Sequence, residues 1–402
     1  MNNLVAQHSE TGKLSGASAT ILRPYMPELD TIRGIAVLGV LFLHFFFWQY
    51  GKLSFSGPAR AFLNLTQPGG LGVNLFFVLS GFLITGILLD SKDHPHFYRR
   101  FYTRRALRIL PAYYTILILL LLLRSSSVVF VGMSFIYLSN LTPLFGVTCD
   151  YGPLWSLAVE EHFYILWPTV VRRLNAHAVA WVAGSIMVVV PILRVISFFA
   201  GWRRGLDWYT WFVADGLAAG CLLAAVLRCN ISRMKANRLC SFLFFSPTLA
   251  AVIGQPYGIL TRTRPLGAAL QLTIISTFFA AFILFVLIVG TSSAKRYVNS
   301  AMLRFFGYIS YGLYLDHLLA FRMYDRICRI YCPQLIPSSN HFVLVVLKFV
   351  VAGGGAVAAA YISRRFYEER FLRLKDSVLQ PAAEAATLQE PSAPIVTPSA
   401  VA

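Results

Sequence analysis

LDTIRGIAVLGVLFLHFFFW, residues 29–48, places Arg33 and His44 in a segment that is otherwise almost wholly apolar. Some 20 residues rise roughly 30 Å as an α-helix, the thickness of a bilayer's hydrocarbon core, so the segment reads as a membrane span. At 100° per residue the eleven steps between Arg33 and His44 end about 20° past three full turns. Both side chains therefore share a helix face, with His44 roughly 16 Å further along the axis. If Arg33 marks one membrane surface, His44 lies near the midplane, where ionisable groups are costly and point to function.

The rest of the chain repeats the apolar pattern. Its 402 residues are 57% hydrophobic and 13% charged, with mean hydropathy +0.64, more apolar than a soluble domain of this size can bury. Long apolar runs recur between Ile32 and Ile362, which predicts an all-α, polytopic membrane bundle and not the weakly alternating strands of an outer-membrane barrel. Ten spans are expected at 33–50, 71–90, 106–123, 154–170, 178–199, 208–227, 239–256, 268–290, 305–322 and 341–362. Residues 128–144 are apolar but interrupted by Ser134, Ser139, Asn140, Thr142 and Pro143. They read as re-entrant, interfacial or an eleventh span.

Charge favours ten. With the N-terminus inside, cytoplasmic segments hold 23 of the 35 Lys and Arg residues, and an eleventh span would move the cluster between Arg228 and Arg238 outside. The net charge of +18 is spread over many short loops, so topology explains it better than nucleic-acid binding does. No apolar h-region precedes Met26, so the first span is expected to serve as the signal. The expected divisions are a cytoplasmic N-terminal tail (1–28), a membrane domain (29–372) and a disordered cytoplasmic C-terminal tail (373–402), with no soluble domain after the last span. Six cysteines lack CxxC spacing and interleaved histidines, and no metal site is expected.

Several constellations carry possible chemistry. A neutral His44 in an apolar bundle can take a proton from a hydroxyl, or it can be a histidine satisfied by a neighbouring carbonyl. Arg33 reads as a site residue or an interface anchor, and Asp30, three residues earlier, can pair with it. Glu160 and Glu161 lie side by side in YGPLWSLAVEEHFYILWP. Adjacent helical residues diverge by 100°, so one is expected to face a site and the other a basic partner, with Glu160 at a depth comparable to His44. A carboxylate there would orient the imidazole; an interhelical ion pair is the structural reading.

Arg104, Arg105 and Arg108 open the third span, with Arg104 and Arg108 on one face by i, i+4 spacing. Guanidinium groups at a membrane surface suit a polyanion such as the phosphates of coenzyme A, and they equally suit topological positive charge. GGLGVNLFFVLSGFLITGILL brings small residues that allow close packing, with Asn74 and Ser80 as its polar groups toward a site. FGYISYGLYLDHLLAF adds Ser310, Tyr311, Tyr314, Asp316 and His317, which either line a cavity or tie helices together. No GxSxG elbow, HxxxD, phosphate loop or HExxH appears, so a serine nucleophile is not expected.

Four segments in order, the arginine-ten residues-histidine pattern of Arg33 and His44, GVNLFFVLSGFLI, RRALRILPAYY and LWSLAVEEHFYILWP, resemble the bacterial acyltransferase-3 family of membrane O-acyltransferases. ISYGLYLDH is similar to a fifth signature, and the resemblance covers about residues 29–372. It implies a ten-helix bundle in the bacterial cytoplasmic membrane that moves an acyl group, usually acetyl, from cytoplasmic acyl-CoA to a hydroxyl of a carbohydrate or glycolipid acceptor, with acyl-CoA as co-substrate and no tightly bound cofactor. By the same resemblance His44 and Arg33 match the catalytic histidine and arginine. Glu160 or Glu161 matches the acidic pair, and Arg104, Arg105 and Arg108 match the donor-binding segment. Asn74, Ser80, Tyr311 and His317 are the candidate substrate-binding residues. Asn74 stands where the family often has Asp, His162 where it has Gln, and Asp316 where it often has an aromatic residue.

The expected mechanism is direct transfer, with His44 as base, arginines on the donor phosphates and a glutamate steadying the imidazole. An acyl-histidine intermediate is the rival within the family. Outside it, a non-catalytic transporter of acyl or glycan substrates suits ten spans with midplane charges, and a noncatalytic scaffold leaves the Arg33/His44 register unexplained. The acceptor, the acyl chain length and the oligomeric state are not legible in the sequence.

Overall fold

The computed structural model describes residues 21–229, 231–337 and 341–379. Residues 1–20 and 380–402, which make up most of the tails expected at 1–28 and 373–402, lie outside the described residues. Ten long helices and one short one follow in chain order: α1 (Glu28–Tyr50), α2 (Gly57–Asp90), α3 (Phe97–Leu122), α4 (Val128–Phe135), α5 (Pro153–Arg173), α6 (Ala176–Phe199), α7 (Thr210–Leu227), α8 (Arg233–Tyr257), α9 (Pro265–Gly290), α10 (Ala301–Tyr331) and α11 (Phe342–Leu374). No strand occurs among the described residues.

The ten long helices fall on the ten expected spans. Eight are long and apolar enough to cross a membrane. The other two, α5 and α10, are diluted by Glu160, Glu161 and His162 in one and by Asp316, His317, Arg322 and Asp325 in the other. Both helices carry candidate site residues, so their lower hydropathy has a local cause. The ambiguous stretch 128–144 resolves into α4, eight residues capped by Ser127, followed by turns. At 1.5 Å per residue α4 is about 12 Å long, too short to span a core of about 30 Å. Past Leu374 the last helical turns run on to Leu379, beyond the boundary expected at 372.

Two helix pairs set the frame, α1 against α10 and α2 against α7. Both need glycine at the crossing. A Cβ on Gly34 would strike the Leu303 carbonyl, and one on Gly307 would strike the Asp30 carbonyl. Between α2 and α7, Gly81 meets the Leu217 carbonyl and Gly220 the Val78 carbonyl. Such reciprocal contacts let backbones touch where no water is available to drive apolar association. α7 is the most enclosed span and α8 the most peripheral, 72% and 11% buried. That contrast makes α7 the centre of one half of the bundle.

A buried ion pair ties this half together. Arg194 of α6 meets Asp215 of α7 at 2.5 Å, both at most 1% exposed. The guanidinium also donates to the Phe212 and Ala269 carbonyls, and Thr273 of α9 donates to Asp215 at 2.6 Å. With its charges compensated and its polar atoms engaged, the network suits an apolar interior.

Candidate active site

α1 departs from α-helical geometry at its candidate base. Residues Leu43–Phe47 form a π-helical turn, and His44 lies in it. Such turns widen a helix locally and recur at functional sites. Because the turn begins at Leu43, the α register from Arg33 up to that point is kept. Phe42, Phe45 and Phe46 pack on Phe349 with ring centroids 4.8–5.2 Å apart. Phe349 opens a second π-helical turn in α11, Phe349–Gly353. Beside it the buried Lys348 bonds to Gln49 at 2.9 Å and Asp325 at 2.8 Å, joining α11 to the ends of α1 and α10.

The partner of His44 is another imidazole. Its Nδ1 lies 2.7 Å from Nε2 of His317 on α10, and His317 Nδ1 lies 2.9 Å from the Leu313 carbonyl. The rings are nearly parallel, 10° apart in plane. Trp48, one turn beyond His44, packs its ring 4.5 Å from the imidazole and leaves 59% of its surface exposed. The expected glutamate beside His44 is thus corrected. Glu160 accepts a 2.7 Å hydrogen bond from Tyr164, whose hydroxyl also pairs with Ser80 at 2.6 Å.

Toward the Arg33 end of α1 the bundle opens into a cavity of about 120 Å³ that is partly open to its surroundings. Arg33, Arg105 and Arg108 line it, together with both glutamates, Tyr164, Ser80 and Tyr311. Arg105 lies over the Tyr164 ring at 4.9 Å, and Arg33 is held by Asp30 at 2.5 Å. Asp30 compensates Arg33, and Arg105 and Arg108 line the chamber with no carboxylate in a direct ion pair with them among the described residues. The chamber can therefore hold an anionic group in bidentate hydrogen bonds while keeping acceptors of its own. Tyr314 and Ser156 share a 2.6 Å hydrogen bond and also line the chamber. The Tyr314 ring is 6.2 Å from that of His317, which makes this pair the link between the arginine chamber and the two histidines.

A family model described as an acyltransferase domain, acyltransferase-3, matches residues 26–365. That stretch contains every side chain lining the chamber and both histidines. The chain belongs to the acyltransferase-3 family.

Among curated relatives of this acyltransferase-3 chain, the peptidoglycan O-acetyltransferase OatA of Listeria monocytogenes is 32% identical over 170 residues, 36% of this chain and 24% of the relative. A Bacillus subtilis protein provisionally named peptidoglycan O-acetyltransferase YrhL is 30% identical over 248 residues, 54% of this chain and 36% of its own length. A provisionally named O-acetyltransferase of Staphylococcus aureus is 35% identical over 168 residues, 37% of this chain and 25% of its own. The chain thus matches only about a quarter to a third of the length of these relatives. No solved structure gives a significant match.

In this acyltransferase-3 chain the predicted residues divide between two places. Arg33, Arg105, Arg108, Glu160, Glu161, Ser80 and Tyr311 gather in the chamber, while His44 and His317 pair beyond it. Both glutamates line the chamber, contrary to the expectation that one would turn away. Arg105 and Arg108, spaced i, i+3, supply the lining, and Arg104 is not among the lining side chains. Neither is Asn74, half-buried on α2. His162 points to α7, where Nδ1 meets the Thr210 hydroxyl at 2.7 Å.

Trp48, Ser156 and Tyr164 are not among the candidates legible in the sequence. Tyr164 stands four residues after Glu160 and Trp48 four after His44, so helical spacing was the available signal. The Arg194–Asp215 pair had none, because its members lie on different spans.

Proposed function

We propose that the protein is a membrane O-acyltransferase that moves an acetyl group from acetyl-CoA to a hydroxyl of a carbohydrate-containing acceptor. The carrying observation is the arginine chamber at one end of α1 with His44 about three helical turns away. Arg33, Arg105 and Arg108 bind the donor's phosphates, and the pantetheine arm runs past the Tyr314–Ser156 pair toward His44. The names of the relatives, O-acetyltransferases and in two cases peptidoglycan O-acetyltransferases, support the group transferred and an acceptor rich in sugar hydroxyls.

In the reaction, the His44 ring nitrogen not engaged by His317 takes the acceptor's hydroxyl proton as that oxygen attacks the thioester carbon. The carbon–sulfur bond breaks, and the imidazolium returns the proton to the leaving thiolate. The products are acetylated acceptor and free CoA. The Glu160–Tyr164–Ser80 chain fixes the chamber wall against which Arg105 lies. The excess of Lys and Arg in segments at the chamber's end supports a donor side in the cytoplasm, and the family resemblance supports the bacterial cytoplasmic membrane as the location.

Purified protein given acetyl-CoA and a surface glycan should release free CoA and add one acetyl increment to the glycan by mass spectrometry. Binding of acetyl-CoA without acceptor-dependent CoA release would favour the transporter reading. Acetylated protein trapped with donor alone would replace direct transfer by an acyl-histidine route.

A further inference from the structure

We infer that His317 is a positioning residue that fixes the tautomer of His44, and not a substrate ligand. This rests on the proposed role of His44 as base. Leu313 O can only accept, so the His317 nitrogen 2.9 Å from it, Nδ1, carries a proton. A neutral imidazole has one N–H, so His317 Nε2 is an acceptor. The 2.7 Å contact to His44 Nδ1 then requires that nitrogen to be the donor. His44 Nε2 is left with its lone pair, the form a general base needs.

Three features make the assignment hold. His44 and His317 are 5% and 1% exposed, so bulk water offers the imidazoles little alternative partnership. The acceptor at the end of the relay is backbone on the preceding turn of α10, so it cannot rotate away. The near-parallel rings, 10° apart, pin the orientation as well as the proton. An aspartate does this work for histidine in serine hydrolases, where the wrong tautomer is strongly deleterious. Here a neutral imidazole does it, and the pair enters an apolar interior without a buried carboxylate.

His317→Phe keeps a planar ring of similar volume but removes the acceptor, and His317→Gln offers a carbonyl oxygen to His44 Nδ1. With acetyl-CoA and acceptor, His317→Phe should lose about a hundredfold in kcat while both KM values stay within about twofold. His317→Gln should recover to within about tenfold of wild type. Wild-type kcat in His317→Phe overturns the inference, as does a raised acceptor KM at unchanged kcat, which would make His317 a substrate ligand. Equal loss in both variants, with wild-type melting temperatures, also overturns it. His44→Ala run alongside separates the two readings. If that variant turns over normally the base assignment fails, whereas a dead His44→Ala with a fully active His317→Phe rejects only the positioning role.

Discussion

His44 and His317 stand 273 positions apart in the chain and 2.7 Å apart in the fold. The bond joins α1 to α10, the pair of helices whose backbones already touch at Gly34 and Gly307. Close backbone approach at one end and an imidazole bond further along give the two helices one defined register.

Removal of the base should abolish chemistry and spare binding. His44→Ala is expected to lower kcat by roughly three orders of magnitude, the scale of general-base catalysis, with acetyl-CoA affinity retained. Steady-state turnover paired with donor binding by calorimetry measures both; full turnover at normal expression would sink the base assignment.

The chamber arginines should act on the donor. Arg105→Gln or Arg108→Gln is expected to raise the KM for acetyl-CoA about tenfold each, since a charge-assisted hydrogen bond contributes about 1.5–3 kcal/mol. Lysine should rescue only in part because it lacks the bidentate fork. Initial rates across donor concentrations test this, and an effect confined to acceptor KM would move the donor elsewhere.

Breaking the buried pair between α6 and α7 should be a stability lesion. Asp215→Leu leaves Arg194 uncompensated and is expected to cost about 3–5 kcal/mol, whereas Arg194→Leu with Asp215→Leu should cost less than the single change. Thermal unfolding in detergent reports the order. A double variant less stable than Asp215→Leu would contradict the charge argument.

Asp150 supplies a pH-dependent contribution in the loop before α5. Burial alone would raise its pKa, but hydrogen bonds from Ser127 and Thr148, both 2.8 Å, and the Arg322 charge hold it below the usual carboxylate value. A depressed folded-state value means stabilisation present above about pH 3.9, the unfolded value, and lost as pH falls through the folded one. The difference in melting temperature between wild type and Asp150→Ala should hold steady from neutral pH down to about 5 and shrink below about 4. A difference that grows in acid would reverse the sign.

Much of the fold was legible because each span carries its own signal. An apolar run near 20 residues long must satisfy its backbone internally, so position and type follow from local sequence. The Arg33-to-His44 register was legible for the same reason, as a property of one helix. Residues 128–144 were ambiguous because their polar interruptions suit a short helix and a broken span equally, and the eight residues of α4 decide it.

The sequence determined which residue types sit at which depth on each helix: Arg33 at one end of α1, His44 deep within it, two glutamates in α5 and arginines at the start of α3. Tertiary structure alone decided who meets whom. Rotation of one helix about its axis against another is set by packing across the interface, and no periodicity within a single span encodes it. Thus the glutamates went to the arginines, and the imidazole of His44 went to His317, whose own hydrogen bond selects the nitrogen that carries the proton.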